Sequence, residues 1–214
     1  MLDDVLAAPP AADAFAAATA AIIQAGRRMD RFGWVPATAG NISLRLPDGS
    51  VAITRSGGHK GFLDADGVIR VDLQGRPLRA GDRSSAETGL HCGIYRRFPG
   101  AGAVLHGHSV PVTHLSRSGG DAILLEGYEL LKAFPGLPTH AGTIALPVVD
   151  NDQDIGRLQA VVERRWDALA EVPPGYLIRG HGIYVWGADM PTALTRLEAL
   201  EFMLACELEK RRAA

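Results

Sequence analysis

The stretch Ala103-Val104-Leu105-His106-Gly107-His108-Ser109 sets an apolar run directly before two histidines that flank a glycine. Coming after the turn signal Pro99-Gly100, the run predicts a buried strand that carries both imidazoles at its end. Side chains two apart on a strand share a face, so His106 and His108 can converge on one ion, with Gly107 leaving room between the rings. Zinc takes three or four N, O or S ligands and keeps a position open when it is catalytic. A pair of this kind is equally explained by ordinary core or surface histidines, so a third ligand has to decide.

His181 is the best third ligand. It stands between Gly180 and Gly182, at a tight turn joining the apolar strands of Gly175-Tyr176-Leu177-Ile178 and Ile183-Tyr184-Val185-Trp186. The alternatives are His59, His91, His114 and His140; His91 falls inside a predicted helix, and His59 lies in a Gly-rich loop that suits an anion better. Other protein classes with such a pair fit poorly. A β-lactamase-like hydrolase wants Asp then His soon after His108, where Val110 and Pro111 stand. An amidohydrolase barrel needs a longer chain, and a cupin needs many short strands with a Glu close by.

Working outward, Ala14 to Met29 reads as a helix that stops near Gly33. The stretch from Asn41 to Thr54 reads as a hairpin around Pro47-Asp48-Gly49-Ser50, and Gly67 to Leu78 as another strand followed by a Gly turn. Ser84 and Glu87 have capping-box spacing, which predicts a helix from there to Phe98. Further helices are expected at Val110 to Ser116, around Glu126 to Phe134, at Asp152 to Ala170 and at Met190 to Arg212, with a strand at Thr143 to Val149. The last helix sets Leu194, Leu197, Leu200, Leu204 and Leu208 on or near one face. Strands and helices interleave without a linker or an internal repeat, which predicts one domain of α/β class over 1–214, residues 1–12 forming a loose arm.

A chain of 214 residues buries one good core, and a 47% hydrophobic content with 21% charged residues is that of an ordinary soluble protein. The net charge of −2, with no basic block except Lys210-Arg211-Arg212, argues against nucleic acid or a membrane surface as partner. Cys92 and Cys206 form no CxxC pair, so neither a disulfide framework nor a cysteine metal site is expected. Asp3, Asp4 and Asp13 are unlike a secretory signal, and no apolar run reaches membrane length. The expected location is the cytoplasm.

Taken together and in order, "TAGNISLR", "TRSGGHKG", "SSAET", "LHGHS" and "RGHGIYVWG" resemble the class II aldolase/adducin family over about residues 14–205. The stretches "LEGYELLKAF" and "PVVDNDQDIGRL" are most similar to a dehydratase branch of it. This resemblance implies a three-layer α/β/α domain around a mixed central sheet, assembled as a homotetramer. It implies one zinc ion per subunit, held by His106, His108 and His181. Glu87 stands where family aldolases keep an acid/base glutamate and is also a possible fourth metal contact, while Glu129 matches the acid/base glutamate of the dehydratases. Helix capping by Glu87 and a solvated Glu129 are the plainer readings. The substrate implied is a small ketose phosphate: in the dehydratase branch, a methylthio-substituted pentulose 1-phosphate that loses water to give a diketone.

A ketose with a carbonyl at carbon 2 and a hydroxyl at carbon 3 can chelate one metal ion, which stabilises the charge that develops as the carbon-3 proton leaves. Expelling the carbon-4 hydroxyl then gives dehydration, and breaking the bond between carbons 3 and 4 gives aldol cleavage. The ligand set therefore leaves a class II aldolase or a pentulose-phosphate 4-epimerase as alternatives. The tail "FMLACELEKRRAA" lacks the tyrosine that family aldolases recruit there. Adducin-like members, which have lost the histidines, are interaction modules. For the phosphate, Ser56, Gly57, Gly58 and Lys60 offer an anion nest, Ser84 and Ser85 a helix start, and Asn41 a matching contact of the family. Trp34, Trp166 and Trp186 are read as core or interface.

Overall fold

The computed structural model describes residues 11–213. In chain order these form α1 (Ala11–Arg31), β1 (Asn41–Arg45), β2 (Val51–Thr54), β3 (Val68–Val71), α2 (Thr88–Arg97), β4 (Ala103–Gly107) and α3 (Val110–Ser116). There follow β5 (Ala122–Glu126), β6 (Thr143–Val149), α4 (Ile155–Asp167), β7 (Gly175–Ile178), β8 (Gly182–Gly187) and α5 (Met190–Ala213). Apart from the first turn of α1, the arm expected over residues 1–12 lies outside the described residues.

One eight-stranded sheet runs in the order β3-β2-β1-β4-β8-β7-β6-β5. All pairings are antiparallel except β6 with β7, so the sheet is mixed. The period-2 alternation of its strands supplies two cores. On β8, Ile183 and Val185 join Ile22, Leu115 and Leu200 beneath α1, α3 and α5. Tyr184 and Trp186 of the same strand join Leu90, Ile94, Leu158 and Trp166 beneath α2 and α4. Helices on both faces make the three-layer α/β/α arrangement, and among the described residues no helix is long and apolar enough to cross a membrane.

Two elements differ from expectation. The helix expected from Ser84 begins at Thr88, and Glu87, at its N-cap position, makes no side-chain cap bond. Where a helix was expected around Glu126 to Phe134, the chain forms the edge strand β5 and then a 3-10 turn over Glu129–Ala133. The alternating burial of Ala122-Ile123-Leu124-Leu125-Glu126 is the period-2 signal of a strand, here short and flanked by Gly120 and Gly127.

Candidate metal centre

Register brings the histidines together. β4 lies between β1 and β8, with Asn41 opposite His106 on one side and Tyr184 opposite His106 on the other. The β7–β8 turn, closed by the His181 N–H on the Ile178 carbonyl at 3.0 Å, delivers His181 to the end of β4. Ring centroids are 4.5 Å apart for His106 and His108, 4.7 Å for His108 and His181, and 5.2 Å for His106 and His181. Glu87 enters from the start of α2. Its Oε1 lies 2.9 Å from His181 Nε2 and 3.4 Å from His106 Nε2. One ligand atom from each of Glu87, His106, His108 and His181 falls within 4.8 Å of all the others, a group that could hold a metal ion.

Each side chain is held for that purpose. His106 is fully buried, its Nδ1 donates to the Ile183 carbonyl at 2.9 Å, and its ring stacks on Tyr184 with centroids 4.1 Å apart. That bond fixes the tautomer and leaves Nε2 as a lone-pair donor. The His108 N–H donates to the Trp34 carbonyl at 2.7 Å, pinning the residue just past the strand end. Asn41 Nδ2 donates to Glu87 Oε2 at 2.7 Å, leaving the other oxygen to the histidines. The Nε2 atoms of His106 and His108 are buried without a hydrogen-bond partner, as expected of groups waiting for an ion.

The electrostatics agree with ligation. Burial, reinforced by the neighbouring His106 and His181, pushes His108 down to about 3, so it is a neutral imidazole at neutral pH. Burial alone would raise Glu87, but the His106 and His181 imidazoles beside it outweigh that and hold the carboxyl well below the ordinary range. Glu87 is therefore an anionic donor, and its oxygens lie against Asn41, His106 and His181 instead of capping the helix.

The other histidines lie elsewhere. His91 is buried in α2 with Nδ1 bound to Ser43 Oγ at 2.8 Å, while His59 Nδ1 accepts from the Gly61 N–H at 3.2 Å. His114 is exposed on α3. His140 lies at the surface 3.9 Å from Glu129. Glu129 is itself exposed, its carboxylate bonded to Lys132, whose hydrogen bond and charge lower its pKa. Its partners are thus Lys132 and His140 and not the cluster.

Among the residues expected to bind phosphate, Asn41 touches the cluster through Glu87. Ser56, Gly57 and Gly58 form a loop after β2, with Gly57 at a φ of 83°. Lys60 is buried, and its Nζ donates to the carbonyls of Thr38 and Gly58 at 2.7 Å each. Ser84 Oγ donates to the Gly75 carbonyl at 3.3 Å, and Ser85 Oγ accepts the Glu87 N–H at 3.3 Å. Both serines precede α2 and do not begin it. Gly107 makes room for the Trp34 carbonyl, which a Cβ there would meet at 3.1 Å, and not for the rings. Sequence reasoning missed Tyr184, the stacking support of His106; its alternation with Ile183 and Val185 places it on the face opposite theirs.

A three-layer α/β/α fold with three histidines and a glutamate at the end of its central strands defines the class. The chain belongs to the class II aldolase and adducin family: residues 20–208 match its profile, described as "Class II Aldolase and Adducin N-terminal domain". It is 66% identical over 203 residues to the methylthioribulose-1-phosphate dehydratase of Gluconacetobacter diazotrophicus, covering 94% of this chain and 98% of that one. Identity to the methylthioribulose-1-phosphate dehydratase of Acidiphilium cryptum is 57% over 210 residues, covering 97% and 98%. Among solved structures, the L-fuculose-1-phosphate aldolase of Thermus thermophilus superposes with a TM-score of 0.71 at 26% identity, covering 90% of this chain and 93% of that one.

Proposed function

We propose that the chain is a zinc-dependent methylthioribulose-1-phosphate dehydratase. It converts 5-methylthioribulose 1-phosphate to 5-methylthio-2,3-dioxopentyl phosphate and water, a step of methionine salvage in the cytoplasm. The support is the convergence of Glu87, His106, His108 and His181 in a chain 66% identical to a protein of that name. Three imidazoles and a carboxylate suit zinc. When bound, such an ion polarises the carbon-2 carbonyl and stabilises the negative charge that develops on the substrate oxygens.

The chain supplies the rest. In this reading Glu87 is the anionic fourth contact of the metal, and Glu129 is the proton shuttle. Glu129 accepts the carbon-3 proton and returns it to the departing carbon-4 hydroxyl, which leaves as water. The resulting enol then loses its hydroxyl proton and gains one at carbon 4 to give the diketone. Because Glu129 pairs with Lys132 and His140 at the surface of its own chain, we assign its action to the metal centre of a neighbouring copy in a homotetramer. The phosphate is assigned to Asn41, the Ser56, Gly57 and Gly58 amides, Ser84 and Ser85. Lys60 acts by holding that loop and by its charge.

In a His106→Ala, His181→Ala double variant, elemental analysis should find no zinc and product analysis no diketone, while the circular dichroism of the fold persists. Wild-type zinc stoichiometry in that variant would overturn the site. Glu129→Gln and His181→Ala subunits, each inactive alone, should regain activity when refolded together. Failure to do so would return Glu129 to its own chain.

A further inference from the structure

Between the end of α1, the start of α3 and the outer side of α5 lies an apolar cavity of about 790 Å³. Phe32 and Trp34, stacked with centroids 4.8 Å apart, form one wall, with Val110, Pro111 and Phe202 around the rest. Phe32, Val110 and Phe202 are 52%, 69% and 57% exposed, a concentration of apolar surface that marks a binding site. The cation beside the cavity, Arg28 over the Phe32 ring at 5.9 Å, is paired with Glu198.

One polar group is buried beside this space without an evident structural role. Glu201 lines the cavity, is only 3% exposed, and neither carboxylate oxygen has a hydrogen-bond partner among the described residues. Burial pushes its carboxyl up to about 7, against the opposing influence of the Ser109 hydroxyl. Near neutral pH much of it is therefore a neutral acid with a proton to donate.

The cavity also adjoins the metal centre. Ser109, in its lining, follows His108, and Trp34 accepts the His108 N–H. A neighbouring recess of about 600 Å³ has His108 in its wall and shares Ser109 and Val110 with the cavity. The two spaces thus meet at Ser109 and Val110, next in the chain to His108.

We propose that this cavity receives the alkylthio end of the substrate, with the thioether against the aromatic rings. The inference rests on the dehydratase reading and extends it to the part of the substrate that sets specificity. Such a substrate has one anionic end, two metal-chelating oxygens and one apolar end. The cavity's walls are mostly apolar, and Arg28, which lies over the Phe32 ring, is taken up by Glu198, so the space fits the thioether better than the phosphate. Sulfur is polarisable and packs well on aromatic rings.

The test is calorimetric binding of 5-methylthioribitol 1-phosphate and ribitol 1-phosphate to the metal-loaded protein; neither alcohol has the carbonyl needed for turnover. The methylthio compound should bind more tightly, on the order of 10–200-fold. Val110→Asp and Phe202→Asp, at exposed positions that the fold tolerates, should abolish the preference. Equal affinities in the wild type, or an unchanged preference in both aspartate variants, would overturn the proposal. So would a change of oligomeric state in those variants without a change in preference, which would make the cavity a contact between copies. Failure of the dehydratase reading has a separate signature, the absence of diketone from wild-type protein.

Discussion

Replacing Gly182 should disturb the candidate metal centre without removing any of its four side chains. It begins β8 immediately after His181, and a Cβ there would stand 2.8 Å from His106 Cε1 and closer still to the carbonyl oxygen of Gly107. Ordinary contact begins at 3.4 Å, so Gly182→Ala must open the gap to the His106 ring by at least 0.6 Å (3.4 − 2.8). His106 cannot yield easily, because it is fully buried, stacked on Tyr184 and bonded to Ile183 of the same strand. Overpacking of this kind costs about 1–3 kcal/mol, and in a chain of this size each kcal/mol lowers Tm by roughly 2–4 °C. Displacing the support of a metal-binding histidine costs roughly 10–100-fold in metal affinity or activity. Calorimetric melting and competitive metal titration measure the two effects, with Gly100→Ala as control, since a Cβ at Gly100 meets nothing within 4 Å. Wild-type metal affinity and melting in Gly182→Ala would refute the packing argument.

Three further outcomes are expected. His91 is buried and pushed down to about 3, so only the unfolded chain takes up its proton between there and the ordinary 6.5. Stability should therefore fall as pH drops below 6.5, by up to about 1.4 kcal/mol per unit, and His91→Gln should flatten that slope in metal-free urea titrations. Glu201 has the opposite sign: raised from 4.5 to about 7, its contribution is full below 4.5 and lost as pH rises through 7. Glu201→Gln should accordingly raise Tm more at pH 8 than at pH 5, and an equal gain at both would contradict the burial argument. Glu129→Gln should lower kcat by about 10²–10⁴-fold with zinc content unchanged; near wild-type turnover would remove its assigned role.

The convergence of the three histidines was legible because they obey local rules: two at strand spacing, and one at a glycine-flanked turn between strands. Glu87 was readable in three ways, as a helix cap, an acid/base group or a metal contact, since all three ask for the same residue type. The choice depends on β4 and β8 bringing His106 and His181 beside it, contacts that no local window contains. The strand β5 was missed because it is short, edge-placed and followed by a 3-10 turn whose leucines mimic a helix. Lys60 looked like a free cation in a glycine-rich loop, whereas Thr38 and Gly58 engage its ammonium. Glu201 was hidden among the leucines of α5, because its isolation comes from the packing of α1 and α3 and leaves no mark in the helical period.

The most direct test follows the carbon skeleton of 5-methylthioribulose 1-phosphate by NMR and mass spectrometry after incubation with the zinc-loaded protein. Dehydration should yield 5-methylthio-2,3-dioxopentyl phosphate, one water mass below the substrate, with no carbon–carbon bond broken. Appearance of dihydroxyacetone phosphate and methylthioacetaldehyde instead, the fragments of cleavage between carbons 3 and 4, would contradict the dehydratase assignment and make the chain an aldolase.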